Sequence, residues 1–394
     1  MVETAPTDDR PTGPTTPVVE AHVDPLQRSA RDTSTVPTVL ADWITAHEDN
    51  SRGRPGLRID AGIDANGMSS ETIMVDANWA DGRAPADERW AMRMAPRPED
   101  IPVFDTYRLD HQYKTMRTAA QATGLPIPRV RWLEPTGSVL GSPFFLMDRV
   151  EGLVPPDVMP YTFGDNWLFD ASPEQQRALQ DSSIELVARL HAIPDAPGTF
   201  GYLREGRPAG DSDLRSQLAW LSQWYRSSAA AIGSSPLVDH ALRWLDENFP
   251  TEAAAGESVL TWGDARIGNV IYQDFMPAAI LDWEMATIGP RELDVSWMIF
   301  AHQVFQELCG LAGLPGMPEF LREDDVRATY RELTGVELGD LRWFSVFAGV
   351  VWCCVFMRAG ARRVHFGEIP RPADVDAELF YHRTLLERLL TEGP

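Results

Sequence analysis

The stretch Val259–Trp297 reads VLTWGDARIGNVIYQDFMPAAILDWEMATIGPRELDVSW. Short apolar runs alternate with turns, and oxygen-bearing side chains stand where the runs end. Ser258–Trp262, Val270–Gln273 and Ala278–Leu281 read as strands. Asp264 and Asn269 fall five positions apart on the loop between the first two, and Asp282 follows the third. An acid, an amide and a second acid, displayed at strand ends around one hairpin, can converge on one point. Such oxygen ligands suit Mg²⁺, which takes one or two protein carboxylates together with phosphate oxygens and water. Phosphoryl transfer needs a set of this kind. One carboxylate orients the attacking hydroxyl and accepts its proton, while an Asn and another Asp hold the metal. Arg266, two after Asp264, can neutralise charge developing on the transferring group. The plain alternative is an ordinary hairpin with surface acids, since Asp and Asn are frequent in turns. Spacing alone leaves both readings open.

Outward from this island the chain is mostly helical on both sides. Ser172-Pro173-Glu174 is a helix start with Pro at the first position, and that helix runs to about His191. Further helices are predicted at 212–232, 236–248, 292–312, 323–333, 340–360 and 373–391. The N-terminal part differs. After an amphipathic helix at Thr38–Glu48 come strand-like runs at Leu57–Asp60, Glu71–Asn78 and Arg89–Met94, punctuated by Gly62, Gly67, Gly82 and Pro85. A helix over Asp105–Gln121 places Leu109, Met116 and Ala120 on one face, with Gln112 as a polar residue among them. Val130–Glu134 and Phe144–Val150 are further strands.

The predicted class is therefore α+β and bilobal, with a small β-rich lobe and a larger, mainly helical one. Residues 1–24 read as a disordered tail, 25–150 as the N-lobe and 151–394 as the C-lobe, with a Pro-rich hinge at Gly152–Pro160. The cleft between lobes is the natural ligand site.

Charge narrows the partners. With 35 basic and 58 acidic residues the net charge is −23, so phosphate-rich surfaces repel the chain. No nucleic acid or membrane partner is expected. The first 24 residues lack the basic start and apolar stretch of a secretion signal. The longest uncharged apolar run, Trp343–Met357, is shorter than the roughly 20 residues a membrane span needs. Cys309, Cys353 and Cys354 show no metal spacing and read as buried free thiols in a reducing cytoplasm.

The string WGDARIGNV…ILDWE followed by GPRELD resembles the catalytic region of the aminoglycoside phosphotransferase family, small-molecule kinases with a protein-kinase-like fold. The resemblance is nearest to a bacterial branch of phosphotransferases and covers roughly residues 57–385. The family motif is His-Gly-Asp, four residues, Asn, then an Asp in an Ile/Leu-Asp-Trp/Phe context. GMSSET (Gly67–Thr72) resembles the phosphate-covering loop, and LGSPFFLMDRVEG (Leu140–Gly152) resembles the strand entering the hinge.

The resemblance implies an ATP- and Mg²⁺-dependent transfer of the γ-phosphate to a hydroxyl of a small molecule, by a monomer or homodimer. Asp264 would be the catalytic acid with Arg266 assisting, Asn269 and Asp282 the metal ligands, and Asp294 a structural acid. Adenine would meet the backbone around Met147–Val150. The phosphates would lie near Gly67, Ser69, Ser70 and Arg93. In the loop itself, backbone N–H groups near Gly67 and the hydroxyls of Ser69 and Ser70 can cradle phosphate, although a Gly/Ser turn between strands has the same composition.

Three positions depart from the pattern. Trp262 replaces the motif His, where an indole can substitute by packing. Arg93 stands where the family has a phosphate-binding Lys; it still binds phosphate, but as a planar fork. Gln112 stands where a Glu would pair with that Lys. A neutral amide can accept from Arg93 without forming an ion pair, or Asp110 or another acid can take the role. These departures favour the alternative of a nucleotide-binding pseudokinase, a sensor or partner-binding module; retention of Asp264, Asn269 and Asp282 together argues against it.

Other groups are read as structural first. Asp165-Asn166 reads as a turn and His191 as a packed helix end. Arg358, Arg362, Arg363 and His365 form a basic cluster that can bind an anionic substrate group or salt-bridge nearby acids. Glu284 can face substrate or support the metal loop.

Overall fold

A computed structural model describes residues 34–47, 52–60, 69–79 and 87–391. The 1–24 tail, and the Gly67 assigned above to phosphate binding, lie outside the described residues. The N-terminal part holds α1 (Val36–His47), β1 (Gly56–Asp60), β2 (Glu71–Asn78), β3 (Asp87–Met94), α2 (Leu109–Thr123), β4 (Val130–Glu134) and β5 (Phe144–Asp148). The strands form one antiparallel sheet in the order β1-β2-β3-β5-β4. Alternation along β3 decides its faces. Trp90, Met92 and Met94 point into a small core with Val36, Leu40 and Ile44 of α1, while Ala91 joins the main core on the other face. Arg93 shares the face of Ala91 and so points towards α2 and the second lobe.

The larger part continues with α3 (Pro173–His191), α4 (Ala196–Thr199), α5 (Asp213–Ile232), α6 (Pro236–Glu247), α7 (Thr251–Ala255), β6 (Val259–Thr261), β7 (Val270–Gln273), β8 (Met276–Ile280), β9 (Thr287–Gly289), α8 (Glu292–Leu311), α9 (Glu323–Thr334), α10 (Arg342–His365), α11 (Val375–Leu379) and α12 (Arg383–Thr391). α3 opens on a capping box in which Ser172 and Gln175 satisfy each other's backbone N–H. α10 is long and apolar enough to cross a membrane, but 78% of its apolar window is buried in the protein, against α5, α8 and α6. The three cysteines are free and buried.

Two expectations are corrected. The single hairpin around Asp264, Asn269 and Asp282 is in fact two small sheets: β7 pairs with β8, and β6 pairs with β9, a strand the sequence reading passed over. β9 is three residues of Thr-Ile-Gly, too short to show a period. The helix expected over 373–391 is broken between α11 and α12, where Phe380 leaves helical geometry and both Phe380 and His382 are buried.

Candidate active site

The loop after β6 begins at Gly263. Its φ is +88°, and a Cβ there would sit 2.3 Å from the Met285 carbonyl oxygen, so only glycine lets the two loops pass. Asp294, at the start of α8, fixes this turn. Its two carboxylate oxygens accept from the backbone N–H of Trp262 at 2.7 Å and of Gly263 at 2.8 Å. Behind it His191 Nε2 lies 3.2 Å from Asp294, and His191 Nδ1 lies 2.8 Å from the Tyr330 hydroxyl. Both residues are structural, as expected from the sequence.

Asp264 follows directly. Its Oδ1 accepts from the Trp297 indole N–H at 2.7 Å and from Arg266 Nε at 3.0 Å. Burial pushes its carboxyl above the usual range, Arg266 pulls it back, and the Asp282 charge adds to the rise. Arg266 is clamped on its other side by Asp157, a residue of the Pro-rich segment. Gly268 makes room for that clamp, since a Cβ there would fall 2.5 Å from Asp157 Oδ1 and 2.6 Å from Arg266 Nη1. Asn269 donates its amide to the Asp264 carbonyl at 3.1 Å, and its own carbonyl accepts from the Leu281 N–H at 2.8 Å. Asp282 then follows β8 in left-handed backbone geometry, φ 59°.

Trp262 does more than pack. Its indole N–H donates to the carbonyls of Leu281 at 2.8 Å and Asp282 at 3.2 Å, which joins the Asp264 loop to the Asp282 loop.

Arg93 reaches this point from β3. Nη2 donates to Asp282 Oδ1 at 2.8 Å and lies 3.5 Å from Glu284 Oε2. Gln112 is buried beside it but makes no hydrogen bond to it among the described residues. Asp110 is engaged by Arg108, at 3.0 and 2.9 Å. The acids paired with Arg93 are thus Asp282 and Glu284. Burial and the Asp282 charge push the Glu284 carboxyl up to about 8. Glu284 also accepts from Ser69 Oγ at 2.8 Å, and Ser69 Oγ lies 2.9 Å from the Tyr107 hydroxyl. The neighbouring Ser70 Oγ is buried with no hydrogen-bond partner among the described residues.

A cavity lies between the lobes, walled by Ala91, Arg93, Gln112, Met147, Val150 and Asp282 among others. The backbone N–H of Asp148 and of Arg149 are taken by Arg129 and Arg89 carbonyls, whereas Val150 has no backbone partner among the described residues.

The basic cluster of α10 is spent elsewhere. Arg358 Nε donates to the Pro102 carbonyl at 2.8 Å and Arg362 Nε to the Ile101 carbonyl at 3.2 Å, while Arg363 lies 3.6 Å from Glu368. Asp165-Asn166 forms a turn in which Asn166 bonds the backbone at Tyr161, Gly164, Leu168 and Phe169. Asp157, Trp297 and Tyr107 were missed by sequence reasoning. Trp297 and Glu284 lie inside the opening stretch, but nothing in the sequence marks Asp157.

A bilobal kinase-like fold with an Asp-Asn-Asp set under the inter-lobe cavity defines a class, the small-molecule kinases. Residues 84–321 match the phosphotransferase enzyme family (APH), and the chain belongs to it. Among solved structures, the chain is similar to a candidate aminoglycoside phosphotransferase from Ralstonia eutropha, at 20% identity and a TM-score of 0.62, covering 90% of this chain and 96% of that one. It is also similar to a thermostable mutant of the aminoglycoside phosphotransferase APH(4)-Ia in complex with ADP and hygromycin B, at 12% identity and a TM-score of 0.51, covering 90% and 99%. Among curated proteins, it is 26% identical over 356 residues to the Arabidopsis thaliana protein named "Probable acyl-CoA dehydrogenase IBR3", covering 84% of this chain and 40% of that protein. It is 26% identical over 259 residues to human acyl-CoA dehydrogenase family member 11, covering 64% and 31%. The chain thus spans well under half the length of these curated relatives.

Proposed function

We propose that this small-molecule kinase transfers the γ-phosphate of ATP to a hydroxyl of its acceptor, with Mg²⁺, and that Asp264 is the base. The observation that carries the reading is the convergence of Asp264, Asn269 and Asp282 through direct bonds and the Trp262 bridge, below the cavity that both lobes wall.

The donors fit a hard cation. Asn269 spends its amide nitrogen on Asp264, and among the described residues Asn269 Oδ1 and Asp282 Oδ2 carry no donor. Asp264 and Glu284 both feel the Asp282 charge, so a divalent ion there would relieve repulsion. Mg²⁺ would be held by Asn269 and Asp282 and would supply positive charge to the phosphate oxygens.

The chain's own groups divide the remaining work. Arg93 and the unspent Ser70 hydroxyl serve the phosphates, and the Val150 backbone serves adenine. Asp264, made more basic by burial, orients the acceptor hydroxyl and takes its proton, while Trp297 and Arg266 hold its other contacts in place. Catalysis is by position and charge rather than by a covalent step.

The ADP- and hygromycin-bound relative supports a nucleotide and a hydroxyl-bearing acceptor. The curated relatives are named for acyl-CoA chemistry, so acyl-CoA compounds join the acceptors worth screening.

The test is acceptor-dependent ADP release over a panel of hydroxyl compounds, for wild type and Asp264→Asn. The variant is expected to lose about 10²- to 10⁴-fold in turnover while still binding ATP. Near-wild-type transfer by the variant would remove Asp264 from the mechanism. Nucleotide binding without turnover on any acceptor would favour the pseudokinase.

A further inference from the structure

On the far side of the Asp282–Glu284 loop lies a second cavity, of about 190 Å³, whose wall includes Arg108, Arg207, Trp220, Trp224, Trp283 and Glu284. Its carboxylates are all engaged. Asp105 accepts from Ser227 Oγ at 2.6 Å and lies 3.7 Å from Arg358. Glu205 lies 3.5 Å from Arg108 and 3.6 Å from His111. Glu284 takes Ser69 and Arg93. Arg108 is in turn held by both oxygens of Asp110.

Arg207 is different. Its guanidinium carbon lies 4.2 Å from the Trp220 ring centroid, and Nη1 donates to Gln217 Oε1 at 3.3 Å. No carboxylate pairs with it among the described residues. Burial pushes it down to about 10, with no neighbouring acid lifting it back. Its supports are themselves fixed: Gln217 is bonded to Thr287 of β9, and Trp220 stacks on Trp224 at 5.1 Å and 30°. Neutral groups therefore hold a cation in place without compensating its charge. A half-buried charge left unpaired is costly. A planar guanidinium on an aromatic face presents its remaining donors in the fork that matches a carboxylate or phosphoryl group.

We propose that this cavity is an anion-binding subsite, in which Arg207 takes a carboxylate or phosphoryl group of the acceptor and the Trp220–Trp224 pair forms an apolar floor beside it. That the ligand is the acceptor rests on the phosphotransfer reading; that the cavity binds an anion does not. The cavity abuts Trp283 and Glu284, so an acceptor anchored here extends towards the Asp282 loop.

Succinate and inorganic phosphate, titrated separately into the whole 394-residue chain by calorimetry, test the subsite without any turnover. The wild type is expected to bind at least one of them, and the preferred one tells carboxylate from phosphoryl chemistry. Arg207→Gln is expected to weaken that binding about 10- to 100-fold, and Arg207→Lys, which keeps the charge without the fork, to lie between. ADP binding should be unchanged in both variants, which also reports that they are folded. Absence of binding by both anions in the wild type overturns the proposal. So does binding that survives Arg207→Gln but is lost in Arg93→Gln, because the anion then sits at the nucleotide site. In the acceptor panel, Arg207→Gln should raise KM for anionic acceptors and leave KM for ATP alone. A preference for polycationic acceptors that ignores the substitution overturns the acceptor assignment even where the anion binds.

Discussion

Arg93 Nη2 donates to Asp282 Oδ1 at 2.8 Å, so a cation from the N-terminal sheet and an acid from the helical lobe neutralise each other across the cleft. Burial opposes the guanidinium charge, but Asp282 and Glu284 outweigh it and hold Arg93 above its ordinary value. The pair keeps the inter-lobe site closed in charge while leaving Asp282 Oδ2 available.

Removing one partner therefore exposes the other. Arg93→Met leaves the buried Asp282 carboxylate without its ion-pair partner, at a cost to folding of about 3–5 kcal/mol. Arg93→Lys keeps the charge and is expected to cost less. In both variants KM for ATP should rise more than kcat falls, and Mg²⁺ should raise the melting temperature by more than it does in wild type. Thermal unfolding with and without Mg²⁺ checks this. Equal metal response in wild type and Arg93→Met would separate Arg93 from the proposed metal site.

Trp262 gives a narrower test. Trp262→Phe keeps an aromatic ring in the core but deletes the N–H that reaches Leu281 and Asp282. Two carbonyls lose their donor, for about 1–3 kcal/mol of stability. Because the lost bonds tie the Asp264 loop to the Asp282 loop, kcat should fall while KM for ATP stays within a few-fold. Stopped-flow turnover beside chemical denaturation measures both. A loss of stability with unchanged kcat would make Trp262 a packing residue only.

How much of this was legible in sequence follows from what each residue depends on. Asp264, Asn269 and Asp282 lie within one short stretch, and their spacing could be read because local strands carry them. The helices α3, α5, α6, α8, α9 and α10 were also readable from apolar period and start signals, as with Ser172-Pro173-Glu174, whereas the short α4 and α7 were not. The pairing of β6 with β9 was not, since Thr287–Gly289 is too short for a pattern and gains its partner only when the chain folds back. Arg93 was identified by position in β3, but of its partners only Gln112 and Asp110 of α2 could be named, with another acid left open. Gln112 faces inward as expected, yet the acids that meet Arg93 come from nearly two hundred residues away. Asp157 is the clearest case: its role exists only because Gly268 lets it approach Arg266.

That approach can be blocked with one methyl group. In Gly268→Ala the new Cβ would overlap both Asp157 Oδ1 and Arg266 Nη1, and one of them must withdraw. Arg266 is then less able to hold Asp264 Oδ1. The expected result is a kcat loss of about tenfold or more with ATP binding retained, because a small misplacement of the proposed base is felt in the chemical step. A crystal structure of the variant should show a longer Arg266–Asp157 separation. Wild-type kcat in a folded Gly268→Ala protein would mean that the clamp has no part in positioning.

Buried titrating groups set opposite pH limits on stability. His302 and His382 are buried, and desolvation lowers each from 6.5 to about 4. The unfolded chain therefore binds protons that the folded chain refuses between those values. Their neutral forms stabilise the fold fully above about pH 6.5, and that contribution is lost as pH falls towards 4. Glu284 acts in the other sense. Its folded value, about 8 against 4.5, means that the folded chain keeps a proton the unfolded chain has released. Its contribution is complete below about pH 4.5 and is lost as pH rises towards 8. Urea unfolding across pH 4–8.5 without metal separates the two. Relative to wild type, His302→Gln with His382→Gln should lose less stability on the acid side, whatever its stability at neutral pH. Glu284→Gln should lose less on the alkaline side. Parallel pH curves for wild type and Glu284→Gln would show that Glu284 is ionised in the folded protein at neutral pH, with Arg93 compensating two carboxylates at once.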